Sequence, residues 1–214
     1  IASNGVNDLS NEKYSNSSCG CNPKFEGDII CRDHRCINFA TQTECVRCRE
    51  GCFNKRITNR KYAKLDVIET PGKGFGLFTQ EDLEKQQFLM EYVGELISPA
   101  EFTHRSIERD RLMEHQYIMQ LKNGVYLDAG RKGSISRFIN HSCEPNCFVE
   151  VWNVQGHLRV GIFAMCRIPA GTELTFDYQW RPSSRPPTKC HCGTESCRGY
   201  LEVLTREEKD ALKI

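Results

Sequence analysis

The sequence predicts a mainly β fold with short helices. Short runs of β-branched and aromatic residues recur between turn signals. Two pairs of such runs flank the hairpin dipeptides Asn123-Gly124 and Gln155-Gly156. Helix-start signals, by contrast, stand before only two polar stretches, at Ser98-Pro99-Ala100-Glu101 and Thr205-Arg206-Glu207-Glu208.

In chain order, Ile1 to Ser18 is polar and rich in Asn and Ser, and reads as a flexible lead-in. Because Ile1 is not a Met, the chain is expected to be a fragment of something longer. Leu65 to Thr70 reads as a strand. It leads into Pro71-Gly72-Lys73-Gly74-Phe75-Gly76-Leu77-Phe78, where glycines let the backbone turn tightly and lie close to a ligand. Taken alone, that segment is equally a plain hairpin turn. Phe88 to Ile97 gives one or two short strands, interrupted by Gly94, and a helix follows to about Leu112. Tyr117 to Leu121 pairs with Val125 to Asp128, and Phe148 to Val154 with Leu158 to Met165. Glu173 to Tyr178 is the last strand. Gln179 to Thr188 is a Pro/Ser-rich linker, and a short charged helix ends the chain.

At 214 residues and a net charge of +1, nothing global demands nucleic acid. The basic run from Asn54 to Lys64 (Lys55, Arg56, Arg60, Lys61, Lys64) reads as a solvated face or a nucleic-acid contact. No apolar run approaches the ~20 residues of a membrane span. The thirteen cysteines are odd in number and sit at Cys-x-Cys and Cys-x-x-Cys spacings, which suit metal tetrahedra better than bridges. Zinc in a reducing compartment is the reading. Cys19, Cys21, Cys31, Cys36, Cys45, Cys48 and Cys52 lie in a segment too poor in apolar period to fold without metal. Two ions need eight ligand positions. Either one thiolate bridges both, or a four-cysteine site stands beside a site of three cysteines and His34. Cys190, Cys192 and Cys197 are one ligand short of another tetrahedron.

The densest stretch is Arg137-Phe138-Ile139-Asn140-His141-Ser142-Cys143-Glu144-Pro145-Asn146-Cys147. It reads as a buried turn that holds polar groups against a ligand. With Gly74-Phe75-Gly76 upstream and Glu173 to Tyr178 downstream, the chain resembles the SET-domain protein lysine methyltransferases over about residues 19 to 204. The first cysteine cluster looks like the "associated with SET" (AWS) zinc module, and the last like a post-SET module. This layout is that of the Set-two, NSD and Ash-one type enzymes, which methylate lysine 36 of histone H3.

The resemblance implies a SET-domain fold of small β-sheets with pseudoknot-like threading, flanked by zinc-binding modules. In that fold the Asn-His-Ser-Cys segment passes beside the last strand. The expected segments are a lead-in (1–18), AWS (19–56), SET (64–180), linker (181–188), post-SET (189–204) and terminal helix (205–214). The implied cofactor is S-adenosylmethionine, held by Lys73, Gly74, Phe75, His115, Gln116, Tyr117, Arg137, Asn140 and His141. Many relatives carry an aromatic residue at the position of Gln116. Three zinc ions are implied, with ligand sets Cys19, Cys21, Cys31, Cys36; Cys31, Cys45, Cys48, Cys52, bridged by Cys31; and Cys143, Cys190, Cys192, Cys197. Cys147 and Cys166 are left over and expected in the core. Tyr178 is the expected catalytic tyrosine, with Tyr117 lining the lysine channel and Phe176 setting how many methyls fit. Phenylalanine at that position favours di- or trimethylation. The linker, with Trp180 and Arg181 at its start, is expected to lie over the channel. The expected partner is the histone H3 tail in a nucleosome, with a contact to nucleosomal DNA, no membrane, and a monomeric nuclear fragment. The competing expectations are a chromatin-binding SET module that has lost catalysis, and an enzyme for another lysine.

Overall fold

A computed structural model describes residues 19–22, 29–49, 51–112, 116–121, 124–180 and 186–212. The lead-in, His115, Asn123 and Arg181 lie outside the described residues. Strands outnumber helices, and the chain divides into two interleaved units.

The first unit comprises Ile1–Ala63, Gln86–Arg137 and Val149–Phe163. Its larger sheet joins β3 (Phe88–Tyr92), β9 (His157–Ala164) and β8 (Cys147–Val154) in that order. All five residues of β3 are buried, as are most of the side chains in the second half of β9. Leu89, Trp152, Ile162 and Phe163 form the core here. A smaller sheet orders β4 (Glu95–Ile97), β6 (Tyr126–Asp128) and β5 (Ile118–Gln120). The sequence run from Phe88 to Ile97 is thus two strands in two sheets. Gly94 between them has no room for a Cβ, which would stand 2.6 Å from the Asp128 carbonyl oxygen.

Helix α2 (Pro99–Leu112) starts where the Ser98 hydroxyl accepts the Glu101 N–H at 3.2 Å. The Glu101 carboxylate pairs forward with Arg105 (2.6 Å). The inward face of this helix carries cations beside Phe102, which stacks on Tyr126 at 4.1 Å. Arg105 and Arg109 both bind the fully buried Asp128, each at 2.8 Å. The cysteine-rich segment also belongs to this unit, with α1 (Ile37–Ala40) as its one short helix among the described residues. The carboxylate of Glu44 fixes its far end, accepting the N–H groups of Ile57 and Thr58 and the Thr58 hydroxyl.

The second unit comprises Lys64–Lys85, Phe138–Phe148 and Ala164–Ile214. Its sheet runs β1 (Leu65–Thr70), β2 (Gly74–Thr79), β10 (Glu173–Phe176), β7 (Asn140–His141). Strands β1 and β2 are a hairpin, and β10 pairs antiparallel with β2. The pairing of β10 with β7 is parallel, with Thr175 opposite Asn140 and Phe176 opposite His141. Parallel neighbours cannot be joined by a tight turn, so the Asn-His-Ser-Cys segment and the last strand meet by a long crossover. Leu77, Leu83, Ile139, Ile168 and Leu174 are the buried apolar residues around this sheet. At the C-terminus, α3 (Arg206–Leu212) opens with a reciprocal capping box. The Thr205 N–H donates to Glu208, and the Glu208 N–H to the Thr205 hydroxyl.

Two expectations are corrected here. Cys166 is exposed, because it sits in the bend that follows β9 and no strand carries it inward. Arg56, read as part of a basic face, is buried among aromatic rings.

Candidate active site and metal centres

The second unit gathers most of the expected site residues around β7 and β10. Gly74 has φ +74°, a conformation that favours glycine, and open space where a Cβ would stand. Gly76 is required for a different reason. A Cβ there would lie 2.8 Å from a Glu173 carboxylate oxygen. That carboxylate is the hub of the loop. Glu173 Oε2 pairs with Lys73 Nζ at 2.7 Å, and Oε1 accepts the Asn140 side-chain amide at 2.8 Å. The same amide donates to the Phe75 carbonyl at 3.1 Å. Phe75 itself is 53% exposed and meets Phe138 edge-on at 5.8 Å. An uncovered aromatic ring beside an open glycine fits a flat heterocycle such as the adenine of the expected cofactor.

Tyr178 follows the end of β10. Its hydroxyl donates to the Ile139 carbonyl at 2.8 Å, and its backbone N–H donates to His141 Nδ1 at 3.2 Å. The Phe176 and Trp180 rings lie 5.0 and 5.5 Å from it. Nε2 of His141 faces Cys143 Sγ at 3.4 Å. Burial, with the nearby Arg198 charge, lowers the pKa of this imidazole and keeps it neutral.

Two residues here were not singled out from the sequence. Arg198 grips Asp177 through two nitrogens, at 3.0 and 2.8 Å, and also donates to the Tyr200 and Leu201 carbonyls. Burial pushes the Asp177 carboxyl up, but Arg198 outweighs it and holds the pKa below the usual range. Asn146 docks on β10 with its side chain, accepting from the Thr175 N–H and donating to the Glu173 carbonyl. Its place inside the polar motif was the available signal. For Arg198, adjacency to Cys197 was the only one.

Gln116, Tyr117 and Arg137 belong to the first unit. Arg137 stands over the Tyr117 ring at 5.5 Å and donates to the Gly130 carbonyl at 3.1 Å. The Gln116 amide is taken up by Asp110 at 2.8 Å.

The cysteines form three groups whose sulphurs lie within 4.8 Å of one another: Cys19, Cys21, Cys31, Cys36; Cys19, Cys31, Cys45, Cys48; and Cys143, Cys190, Cys192, Cys197. A tetrahedral zinc with bonds of ~2.3 Å implies sulphurs about 3.8 Å apart. The pairs Cys19–Cys31 (3.5 Å), Cys31–Cys48 (3.6 Å), Cys19–Cys48 (3.6 Å) and Cys143–Cys190 (3.9 Å) fit that spacing. Cys31 stands in both groups of the first cluster. In the second of them Cys19 occupies the place expected for Cys52, which packs against the cluster beside Cys48. His34 is in none of the groups and meets Phe39 edge-on. Donors surround the sulphurs, as thiolates require. The amides of Asn38 and Asn54 reach Cys45, and the Arg198 N–H reaches Cys143. Burial pushes the Cys192 thiol up, yet the Thr194 hydroxyl and neighbouring amides bring it down to about 5. Cys147, fully buried, is pushed up to about 12 by burial, which outweighs the Thr175 backbone N–H, and it stands in none of the groups.

Residues 74–179 match the SET domain family. The chain is a SET-domain protein. Three curated relatives extend the match beyond the SET domain. A Candida albicans protein named "Histone-lysine N-methyltransferase, H3 lysine-36 specific" is 42% identical over 206 residues, covering 92% of this chain and 24% of the relative. The Yarrowia lipolytica protein of the same name is 44% identical over 193 residues, covering 89% of this chain and 25% of the relative. Human "Histone-lysine N-methyltransferase SETD2" is 43% identical over 192 residues, covering 86% of this chain and 7% of the relative. The SET-domain chain therefore spans about a quarter of these fungal relatives and a smaller part of the human one.

Proposed function

We propose that this chain is the catalytic segment of an S-adenosylmethionine-dependent protein-lysine N-methyltransferase that acts on lysine 36 of histone H3 in nucleosomes. The observation that carries the chemistry is the orientation of the Tyr178 hydroxyl. Its hydrogen is committed to the Ile139 carbonyl at 2.8 Å, so the phenol oxygen meets an incoming amine as an acceptor. The lysine assignment rests on the names of the relatives, 42–44% identical over most of this chain.

The cofactor supplies a methyl group on a sulfonium. Lysine must attack as the neutral amine, although its free pKa is ~10.4. Desolvation in a narrow channel beside a positive charge disfavours the ammonium, so no strong protein base is needed and the proton leaves through water. The task of the protein is alignment. Tyr178 orients the amine, with Ile139 holding the hydroxyl. Phe176, 7% exposed and packed on Tyr178, leaves space that a tyrosine hydroxyl would fill, which suits di- or trimethylation. Lys73, Gly74, Phe75, Asn140 and His141 hold the cofactor, and Tyr117, Gln116, Arg137 and His115 take their roles by resemblance. Three zinc ions complete the cysteine groups. The protein works in the nucleus, on chromatin. The exposed Arg60 and Lys61 contact DNA phosphates there, giving steep salt sensitivity.

The test is transfer of labelled methyl groups to nucleosomes with native histone H3 and with H3 whose lysine 36 is replaced by arginine. Label on the native nucleosomes alone is expected. Equal labelling of both places the activity on another lysine, and no labelling of either favours a binding module without catalysis.

A further inference from the structure

Arg56 is 5% exposed, yet its guanidinium forms no hydrogen bond with any described residue. Its nitrogens are not among the fully buried atoms that lack a partner, so these donors open onto space that water or a ligand can enter. Four aromatic rings surround it, with centroids 4.9–5.3 Å away: Phe39, Phe53, Trp152 and Phe163. These rings offset part of the charge but accept no N–H in the plane of the guanidinium. Arg56 lines a cavity of about 110 Å³ with Phe39, Trp152 and Phe163 as walls. Glu150, Ala40 and Gln42 also line it, as do the exposed His34 and Gln86.

Among the polar groups on the lining, which include the Gln42 amide, the two charged ones, Arg56 and Glu150, define what would fill the space. Arg56 presents donors. Glu150 presents a carboxylate, one oxygen of which accepts the Trp152 indole N–H at 2.9 Å. The guanidinium and this carboxylate are not bonded to each other. Glu44 and Glu150 already act on the Arg56 charge, so another carboxylate would enter against two that are present. Glu44 cannot turn to it, being held by Ile57 and Thr58. A neutral planar group with an acceptor at one end and donors at the other satisfies both sides and lies flat against the aromatic walls. A primary carboxamide has that form. The volume holds a few waters' worth of atoms, at ~30 Å³ per water, which suits the end of one side chain.

We propose that the Arg56 cavity is a docking subsite for a carboxamide, offered by the asparagine or glutamine side chain of a binding partner. Its carbonyl accepts from Arg56, its NH2 donates to Glu150, and its plane packs against Trp152.

The test is two-dimensional ¹⁵N–¹H NMR on the whole zinc-loaded chain. It follows the Arg56 Nε–H and the Trp152 indole N–H, one of only two indoles in the sequence. The probes are acetamide, N-methylacetamide as a backbone mimic, and acetate. Acetamide is expected to shift both resonances along one saturable curve, at least threefold tighter than N-methylacetamide, with no response to acetate. Arg56→Lys, which keeps the charge and loses the planar fork, should weaken acetamide at least tenfold while the Trp152 signal keeps its folded position. Tighter binding of acetate makes the cavity an anion site and overturns the proposal. Equal binding of N-methylacetamide overturns the side-chain assignment, and no response to either amide means that the cavity holds water alone. If Arg56→Lys fails to fold, the ranking of the three probes on the native chain still decides.

Discussion

The backbone N–H of Tyr178 donates to Nδ1 of His141 at 3.2 Å. A ring nitrogen that accepts carries no proton, so the neutral imidazole holds its hydrogen on Nε2, the atom facing Cys143 Sγ at 3.4 Å. Asp177 stands 3.5 Å from the same Nδ1, with its charge taken by Arg198. One buried imidazole therefore spans a sulphur of the C-terminal metal group and the peptide of the expected catalytic tyrosine. The parallel register of β7 and β10 sets this distance, because it places Phe176 opposite His141.

Tyr178→Phe removes one oxygen and leaves the ring contacts with Phe176 and Trp180 in place. Turnover should fall about 10²-fold or more, the scale of a misaligned near-attack geometry. Cofactor affinity should stay within about twofold, since the N–H that binds His141 is backbone. Single-turnover methyl transfer and a cofactor binding isotherm on the same preparation check this. A parallel loss in both would assign the tyrosine to cofactor binding.

Cys197→Ser should release the ion of the Cys143, Cys190, Cys192, Cys197 group and leave the metal of the first cluster bound, as native mass spectrometry would show. Cofactor affinity should fall as well, because Cys143 sits two residues from His141 and three from Asn140. Unchanged affinity in a protein lacking that one ion would separate the metal from the cofactor pocket.

Where local chemistry decides structure, the sequence was readable. Leu65–Thr70 is the strand its β-branched residues indicate, and the Thr205 capping box starts α3. The short cysteine spacings point to metal, but the division into groups came only from the family resemblance, which placed Cys52 where Cys19 stands in the second group. Long-range partners were not readable. Arg56 sits in a basic run, and only rings from Phe39, Trp152 and Phe163, far away in sequence, make its place a buried one. Glu173 looks like an ordinary polar position on a half-buried strand until folding brings Lys73, 100 residues away, to its carboxylate. Nothing local distinguishes Cys166, exposed in a bend, from Cys147, buried at the start of β8.

Asp128 should govern acid stability of the first unit. Burial pushes its carboxyl up, but hydrogen bonds from Arg109 and Arg105 outweigh this and hold the pKa below the ordinary value. A carboxylate with a folded pKa below its unfolded ~3.9 contributes stability that is present above that pH. The contribution is lost as pH falls through the folded value. Asp128→Asn leaves the buried Arg109 without its charge partner, while Arg105 keeps Glu95 and Glu101, and should cost about 3 kcal/mol near neutral pH. In denaturant titrations the gap between wild type and variant should begin to shrink below about pH 4, where the unfolded carboxyl takes up its proton, and close as pH falls through the lower folded value. A constant gap down to pH 2 would mean that packing, not charge, is responsible.

Glu173→Gln should separate binding from chemistry. The side chain keeps its size and can still accept from Asn140, but the ion pair with Lys73 is lost. That pair is about four-fifths shielded from solvent on both sides, so it is worth more than an exposed surface pair. Its loss frees Lys73 and loosens the turn that carries Gly74 and Phe75. Cofactor affinity should weaken about tenfold, the effect of ~1.4 kcal/mol, while the single-turnover rate at saturating cofactor changes less than threefold. Lys73→Met should reproduce the same split, and the double variant should be no worse than either single one, because both remove one interaction. Additive losses would show that Lys73 and Glu173 act on the cofactor separately.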